Sequence, residues 1–330
     1  MGIIPCFPQL LAPEYTIEIM IWDFHGLLIA GESNDERLLA HWAESYASLP
    51  YTTGQAELVV SLDIAATLPP PPARTPAFQA DGFLAYYLDG PNVIANLPGF
   101  AYLEIELATG RSHAHCTEAV LTTYGILDDL IAIALSPHLR RRGWYPVHAF
   151  AAAWQGQGIL LVGDQGAGKT TTGLALLTAG WQLLANDAPL LHPGGILSYP
   201  GQLAAWPRTW RQFPETAGLV NATAVPESAK ISVAPDAIRP DIWLAEAPLA
   251  AILFPQIEKR PDHTLEPLGP AETLRRLLPH TLENWDPALI PAHLRFLRQL
   301  AEQTPGYLLH LGQDLAAIAP LLRPLCLTSS

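Results

Sequence analysis

The sequence predicts an α/β protein, α+β in its overall plan, built from a smaller β-rich unit over 1–120 and an α/β unit over 121–330. Three observations lead there. Residues alternate apolar and polar with a period of two in the first third of the chain, at Ile17, Ile19, Ile21 and again at Leu103, Ile105, Leu107. A strand–loop–helix–strand block runs from Val147 to Asp187, and the tail reads as helices. The 330 residues exceed one ordinary domain of about 100–200 residues. With 49% apolar and 15% charged residues the chain can bury a real core.

In chain order, the alternating segments read as half-buried strands. Pro69 to Pro72 and Pro76 can neither donate to a ladder nor continue a helix, so they form an extended surface connection. From Thr117 to Arg142 the chain is apolar and free of breakers until Pro137, which suits a buried helix or a pair of helices. Arg140, Arg141 and Arg142 suit a helix C-terminus on a solvated face. Val147 to Trp154 and Gly158 to Val162 read as strands, Lys169 to Ala179 as a helix and Trp181 to Asp187 as a strand. The stretch 189–261, punctuated by Pro, Gly and Trp, reads as short strands and loops, with Leu249 to Phe254 its best strand. Helices follow at Pro270 to Leu278, Ala288 to Thr304 and Leu315 to Leu322.

Chemistry concentrates at Gly163-Asp164-Gln165-Gly166-Ala167-Gly168-Lys169-Thr170, which satisfies G-x-x-x-x-G-K-[ST] between an apolar strand and a helix. Glycines let backbone N–H groups close around phosphate oxygens, and the helix starting at Lys169 directs unpaired amides at the same anion. Lys169 supplies a point charge for the β- and γ-phosphates, and the Thr170 hydroxyl is a Mg²⁺ ligand. Thr171 completes the loop's nucleotide-contact set. The chain holds only three lysines, Lys169, Lys230 and Lys259, so Lys230 is a second candidate for the transferring group. Asp187, at the end of a strand following the loop's own helix, is the metal-holding carboxylate.

The stretch His148 to Leu191 resembles the kinase domain of HPr kinase/phosphorylase and its relatives, whose fold is akin to that of phosphoenolpyruvate carboxykinase. The matching residues are His148, the 163–170 loop, Ala179-Gly180 and Asn186-Asp187-Ala188. Segments Lys230–Val233, Pro248–Leu253, Leu268–Glu272 and Pro305–Leu309 are similar to the later course of HPr kinase-related proteins. The resemblance covers about 148–330. It implies a P-loop kinase domain preceded by the β-rich unit, which would choose the acceptor. ATP and Mg²⁺ are the implied cofactors, and the implied activity is transfer of the γ-phosphoryl to a hydroxyl of a peptide, protein or small molecule. It also implies a homo-oligomer. Asp187, His148, Lys230 and position 186 are the implied catalytic residues. Two departures stand out: Asn186 replaces the family's first aspartate, the catalytic base, and Thr171 stands where true HPr kinase is acidic. The phosphorylase signature is not found. Loss of the base leaves a second reading, a nucleotide-binding sensor or degenerate kinase.

Other classes are disfavoured. A balance of 31 acidic against 18 basic residues, net −13, repels nucleic acid and anionic membranes. No apolar run reaches the roughly 18–20 residues of a bilayer span. Met1 is followed by no basic lead, so neither signal nor transit peptide is expected. Cys6, Cys116 and Cys326 are odd in number and far apart, which fits a reducing cytoplasm and no disulfide framework. No G-x-S-x-G elbow occurs. His113 and His115 share a strand face, yet two histidines without a third ligand read as ordinary surface residues. Trp206 and Trp210, interleaved with Arg208 and Arg211, read as packing.

Overall fold

The structure, a computed structural model, describes residues 18–327 except 81, 222–223, 259, 282 and 284. The chain is a mixed α/β protein, with four sheets among the described residues. Among the described residues no helix is long and apolar enough to cross a membrane. Ile17, Cys6 and Lys259 lie outside the described residues.

The first sheet has eight strands between Glu18 and Cys116. Across it they run Glu18–Phe24, Leu27–Ser33, Leu58–Ile64, Arg111–Cys116, Ala101–Glu106, Asn92–Leu97, Leu84–Asp89 and Phe78–Ala80. Leu58–Ile64 runs parallel to both its neighbours, and the other pairings are antiparallel. Leu103 and Ile105 are buried while Glu104 and Glu106 are exposed, as the alternation requires. The first strand has the opposite parity from the isoleucine pattern. Trp22 and Phe24 are its fully buried residues, and Ile19 is 57% exposed. The aromatics win because each ring buries more surface than an isoleucine and finds aromatic partners: Trp22 stacks on Trp42 with ring centroids 4.9 Å apart and meets Tyr46 edge-on.

Two helices cover one face of this sheet. Glu36–Ser45, capped by the Asp35 carboxylate on the Arg37 amide, buries Leu38, Leu39 and Trp42. The apolar run after Thr117 divides at Gly125, whose φ of 76° ends a short turn, Ala119–Thr122, before the helix Ile126–Arg141. That helix buries Ile126, Leu127, Leu130, Ile131, Ala134 and Leu135 in the first sheet's core. The boundary expected between 120 and 121 assigns it to the second unit, but its apolar side packs on the first.

Its C-terminus also departs from expectation. Arg140 is buried, bonded to the Thr281 carbonyl at 3.1 Å and paired with Glu283 at 2.8 Å, and Arg141 pairs with Asp286 at 2.7 Å. Arg140 is the residue that departs from a solvated helix end: Arg141 and Arg142 are exposed, as expected, while the Arg140 and Arg141 pairs fasten this helix to Glu283 and Asp286.

The second sheet has six strands in the order Gln182–Ala185, Ala149–Trp154, Gln157–Val162, Leu249–Ile257, Gly306–Leu311, Thr264–Leu268. Ala149–Trp154 and Gln157–Val162 form a hairpin across Gln155-Gly156, both at positive φ (52° and 78°), as a two-residue turn demands. Gln157–Val162 then runs parallel to Leu249–Ile257. A four-stranded sheet (Glu246–Ala247, Gly195–Leu197, Leu190–His192, Tyr145–Pro146) and a small ribbon (Leu203–Ala205 with Ile231–Val233) are the other two sheets among the described residues. Helices Pro270–Leu277, Ile290–Gln303 and Ile318–Leu322 stand where the tail's patterns place them.

Candidate functional site

The strand Gln157–Val162 delivers the chain into the glycine-rich loop, and the helix Lys169–Thr178 leaves it. Gly166 and Gly168 adopt φ of 87° and 101°, the left-handed region that glycine occupies without strain. A Cβ at Gly168 would come within 2.7 Å of Leu311 Cδ1, so the loop lies tight on the sheet beneath it. A turn closed by the Ala167 amide on the Asp164 carbonyl (3.2 Å) shapes the loop. Asp164, Gln165 and Gly166 face solvent, while Thr170 and Thr171 are half-buried.

The helix is seated by Gly173, which lies against the Phe150 ring, and by Leu174 and Leu177 in the core. It ends in a Schellman arrangement. Gly180, at φ 95°, donates to the Leu177 carbonyl (3.1 Å), and Trp181 to that of Leu176 (3.0 Å). The chain thereby reverses into Gln182–Ala185, antiparallel to Ala149–Trp154, so the end of one strand lies beside the start of the other. The Ala149 amide donates to the Asp187 carbonyl at 3.1 Å. Sheet pairing is thus what sets His148 beside Asp187.

At this junction three of the expected residues form a hydrogen-bonded chain. Lys169 is buried, and its ammonium donates to the carbonyls of Gly163 and Asp164 and, at 3.2 Å, to His148 Nε2. His148 Nδ1 lies 3.1 Å from Asp187 Oδ1. One tautomer satisfies both contacts, with Nε2 accepting from lysine and Nδ1–H donating to the carboxylate. Burial lowers the Lys169 pKa, with the charges of Asp187 and Asp164 opposing it. Burial pushes the Asp187 carboxyl up, but the His148 hydrogen bond and the charges of His148, Lys169 and Lys230 outweigh it and hold it below the ordinary carboxylate range. The Lys230 side chain is exposed, with its ammonium 5.8 Å from the Trp206 ring centroid, close enough for its charge to act on Asp187 and Lys169. Trp210 is buried and donates to the Ile231 carbonyl at 3.1 Å, the packing role expected of it.

Asn186 stands apart from this chain. Its amide nitrogen donates to the Gln202 carbonyl at 3.1 Å, and its buried Oδ1 has no hydrogen-bond partner.

Beside the chain lies a cleft of about 300 Å³ whose lining includes His148, Asp187, Asp129, Arg140, His280 and Glu283. His280 enters because its carbonyl accepts from the His148 amide at 2.8 Å. Its Nε2 stands 4.0 Å from Asp164 Oδ1, and burial lowers its pKa. Asp129 comes from the first turn of helix Ile126–Arg141 and was not among the residues the sequence singled out. Desolvation in the cleft, then the like charges of Asp187 and Asp128, push it up to about 6. Only tertiary packing reveals it, since nothing near Asp129 in sequence marks it.

Chemically, the loop offers amides, a helix N-terminus and an ammonium to an anion. The Thr170 hydroxyl and the Asp187 carboxylate are hard oxygen donors of the kind magnesium takes. The cleft adds an imidazole and a carboxylate, Asp129, whose pKa is pushed up to about 6. No family model matches the chain, and no curated protein matches it.

Proposed function

We propose that this chain is an ATP-dependent phosphotransferase of the HPr kinase-related type, moving the γ-phosphoryl of ATP to a hydroxyl of a peptide, protein or small molecule. The observation that carries the reading is the buried Lys169, held at the loop and joined through His148 to Asp187. The finer fold assignment, a P-loop kinase domain of the phosphoenolpyruvate carboxykinase/HPr kinase type, belongs to the same proposal. Its support is the loop helix followed directly by an antiparallel strand, Gln182–Ala185, that ends two residues before Asp187.

On this reading the loop amides and Lys169 hold the triphosphate. Thr170 and Asp187 hold Mg²⁺, which neutralises phosphate charge when bound. Lys169 exchanges its loop carbonyls and His148 for phosphate oxygens, which frees the His148 Nε2 lone pair. His148 and Asp129 then flank the acceptor side of the cleft, and Asp129, with a pKa raised to about 6, takes the proton-accepting part that Asn186 lacks. Positioning and charge neutralisation dominate a loose phosphoryl transition state, so a displaced base is compatible with turnover. Incubating the full chain with γ-labelled ATP, Mg²⁺ and a panel of hydroxyl-bearing acceptors should give label transfer. Lys169→Ala should lower it at least about 100-fold; transfer that survives Lys169→Ala sinks the assignment.

One observation favours a second reading, a nucleotide-binding sensor: Asn186, an amide with no basicity at neutral pH, is engaged with the Gln202 backbone. Calorimetry and transfer assays on Asn186→Asp separate the two. Tight ATP binding without turnover in either protein supports the sensor, and a transfer rate raised by Asn186→Asp supports a kinase scaffold.

A further inference from the structure

The outer face of the first sheet, opposite its two helices, carries a separate set of ligating side chains. His113 and His115 lie two apart on Arg111–Cys116 and share that face, while Ser112, Ala114 and Cys116 point into the core. Strand register puts Glu104 directly opposite His113 and Asp63 directly opposite His115. One ligand atom each from Glu104, His113 and His115 lies within 4.8 Å of the others. The two imidazole centroids are 4.4 Å apart. The strand bearing them is flanked on both sides by paired strands, so their backbone is fixed before any ligand arrives.

We propose that Glu104, His113 and His115 bind a first-row divalent cation of the zinc class, with Asp63 orienting His113 and one coordination position left open. Two imidazole nitrogens and a carboxylate form a three-ligand set that suits zinc and disfavours magnesium and calcium, which take oxygen ligands. Asp63 Oδ2 stands 2.9 Å from His113 Nε2, so Nε2–H donates to the carboxylate and the Nδ1 lone pair remains for a metal. Tetrahedral zinc with bonds of about 2.0–2.1 Å needs its ligand atoms roughly 3.3 Å apart, so binding would draw the three side chains together by rotation, and none of them is buried. The site does not depend on the nucleotide reading, because it uses none of the residues of the loop or cleft.

The test uses the full chain, freed of metal with a chelator, dialysed and titrated with zinc alone by calorimetry. One zinc per chain is expected, and the His113→Ala/His115→Ala double variant should lose it. Asp63→Asn should weaken it about 10–100-fold. Cobalt(II) in place of zinc should give tetrahedral ligand-field bands that vanish in the same double variant. Circular dichroism and melting curves establish that each variant is folded. If the double variant is not, Glu104→Gln at an exposed position serves instead and should weaken binding at least about tenfold. Lys169→Ala should leave the zinc stoichiometry unchanged, which separates this site from cations near the loop. Absence of stoichiometric zinc binding, or full binding in the double variant or in Glu104→Gln, overturns the proposal.

Discussion

Gly173→Ala sets helix propensity against packing, and the geometry decides between them. Alanine in a helix interior is worth about 1 kcal/mol over glycine, so propensity alone predicts stabilisation. A Cβ at residue 173, however, would lie 2.4, 2.4 and 2.6 Å from three atoms of the Phe150 ring. Phe150 is fully buried, in the strand that the helix packs on, so neither partner has free space to move into. Overpacking of this kind costs about 1–3 kcal/mol, and a three-atom clash belongs at the upper end. The net loss is then about 2 kcal/mol, or a melting temperature lower by about 3 °C for a chain of 330 residues unfolding as one unit. Differential scanning calorimetry measures the shift. A double-mutant cycle with Phe150→Leu tests its cause, since removing the ring should restore part of the loss. A raised melting temperature, or strict additivity in the cycle, refutes the argument. Any displacement of this helix also carries Lys169, so on the proposed function ATP affinity should fall in parallel in Gly173→Ala.

Arg140→Ala removes a buried guanidinium and leaves the Thr281 carbonyl and Glu283 behind. Breaking a buried pair costs about 3–5 kcal/mol, and because the Glu283 side chain is 31% exposed the loss should be nearer about 2–3. Urea unfolding measures it, and a change under about 0.5 kcal/mol would show that the pair does not anchor the helix. Asp129 titrates near 6 in the folded chain, above its unfolded value of about 3.9. The folded protein therefore holds the extra proton, and this group's contribution to stability falls as pH rises through about 4 to 6. Asp129→Asn should raise the melting temperature more at pH 8 than at pH 4, and an equal difference at both refutes the shift. If Asp129 is the proton acceptor, the same variant should also lose the rise in transfer rate across pH 5 to 7.

The loop and its helix were legible because their pattern is local: glycines at 163, 166 and 168, a lysine at 169 and an apolar strand before them lie within one window. The alternation at 103–107 was legible for the same reason. The parity of the first strand was not, because what turns Trp22 inward is Trp42 on a distant helix. Arg140 looked like a solvated helix end because its partners lie near residue 283, far along the chain. The strands Thr264–Leu268 and Gly306–Leu311 went unassigned. Thr264–Leu268 lies at a sheet edge with none of its residues buried, and its Glu266 and Pro267 mask a strand signal. Glu104 as a third partner for the two histidines depends on strand register, which a period-two pattern cannot supply. Asp129 needed a helix from one unit to reach the other.

That helix has a practical consequence. Its flank lies in the first sheet's interior, its opening turn contributes Asp129 to the cleft, and its far end is clasped by Glu283 and Asp286. A fragment begun at residue 121 would bare a greasy rod and should clump rather than fold. The same rod joins the eight-stranded platform to a wall of the cleft within one continuous element. On the proposed function, a ligand that displaces the platform would therefore be felt at Asp129 without crossing a loop.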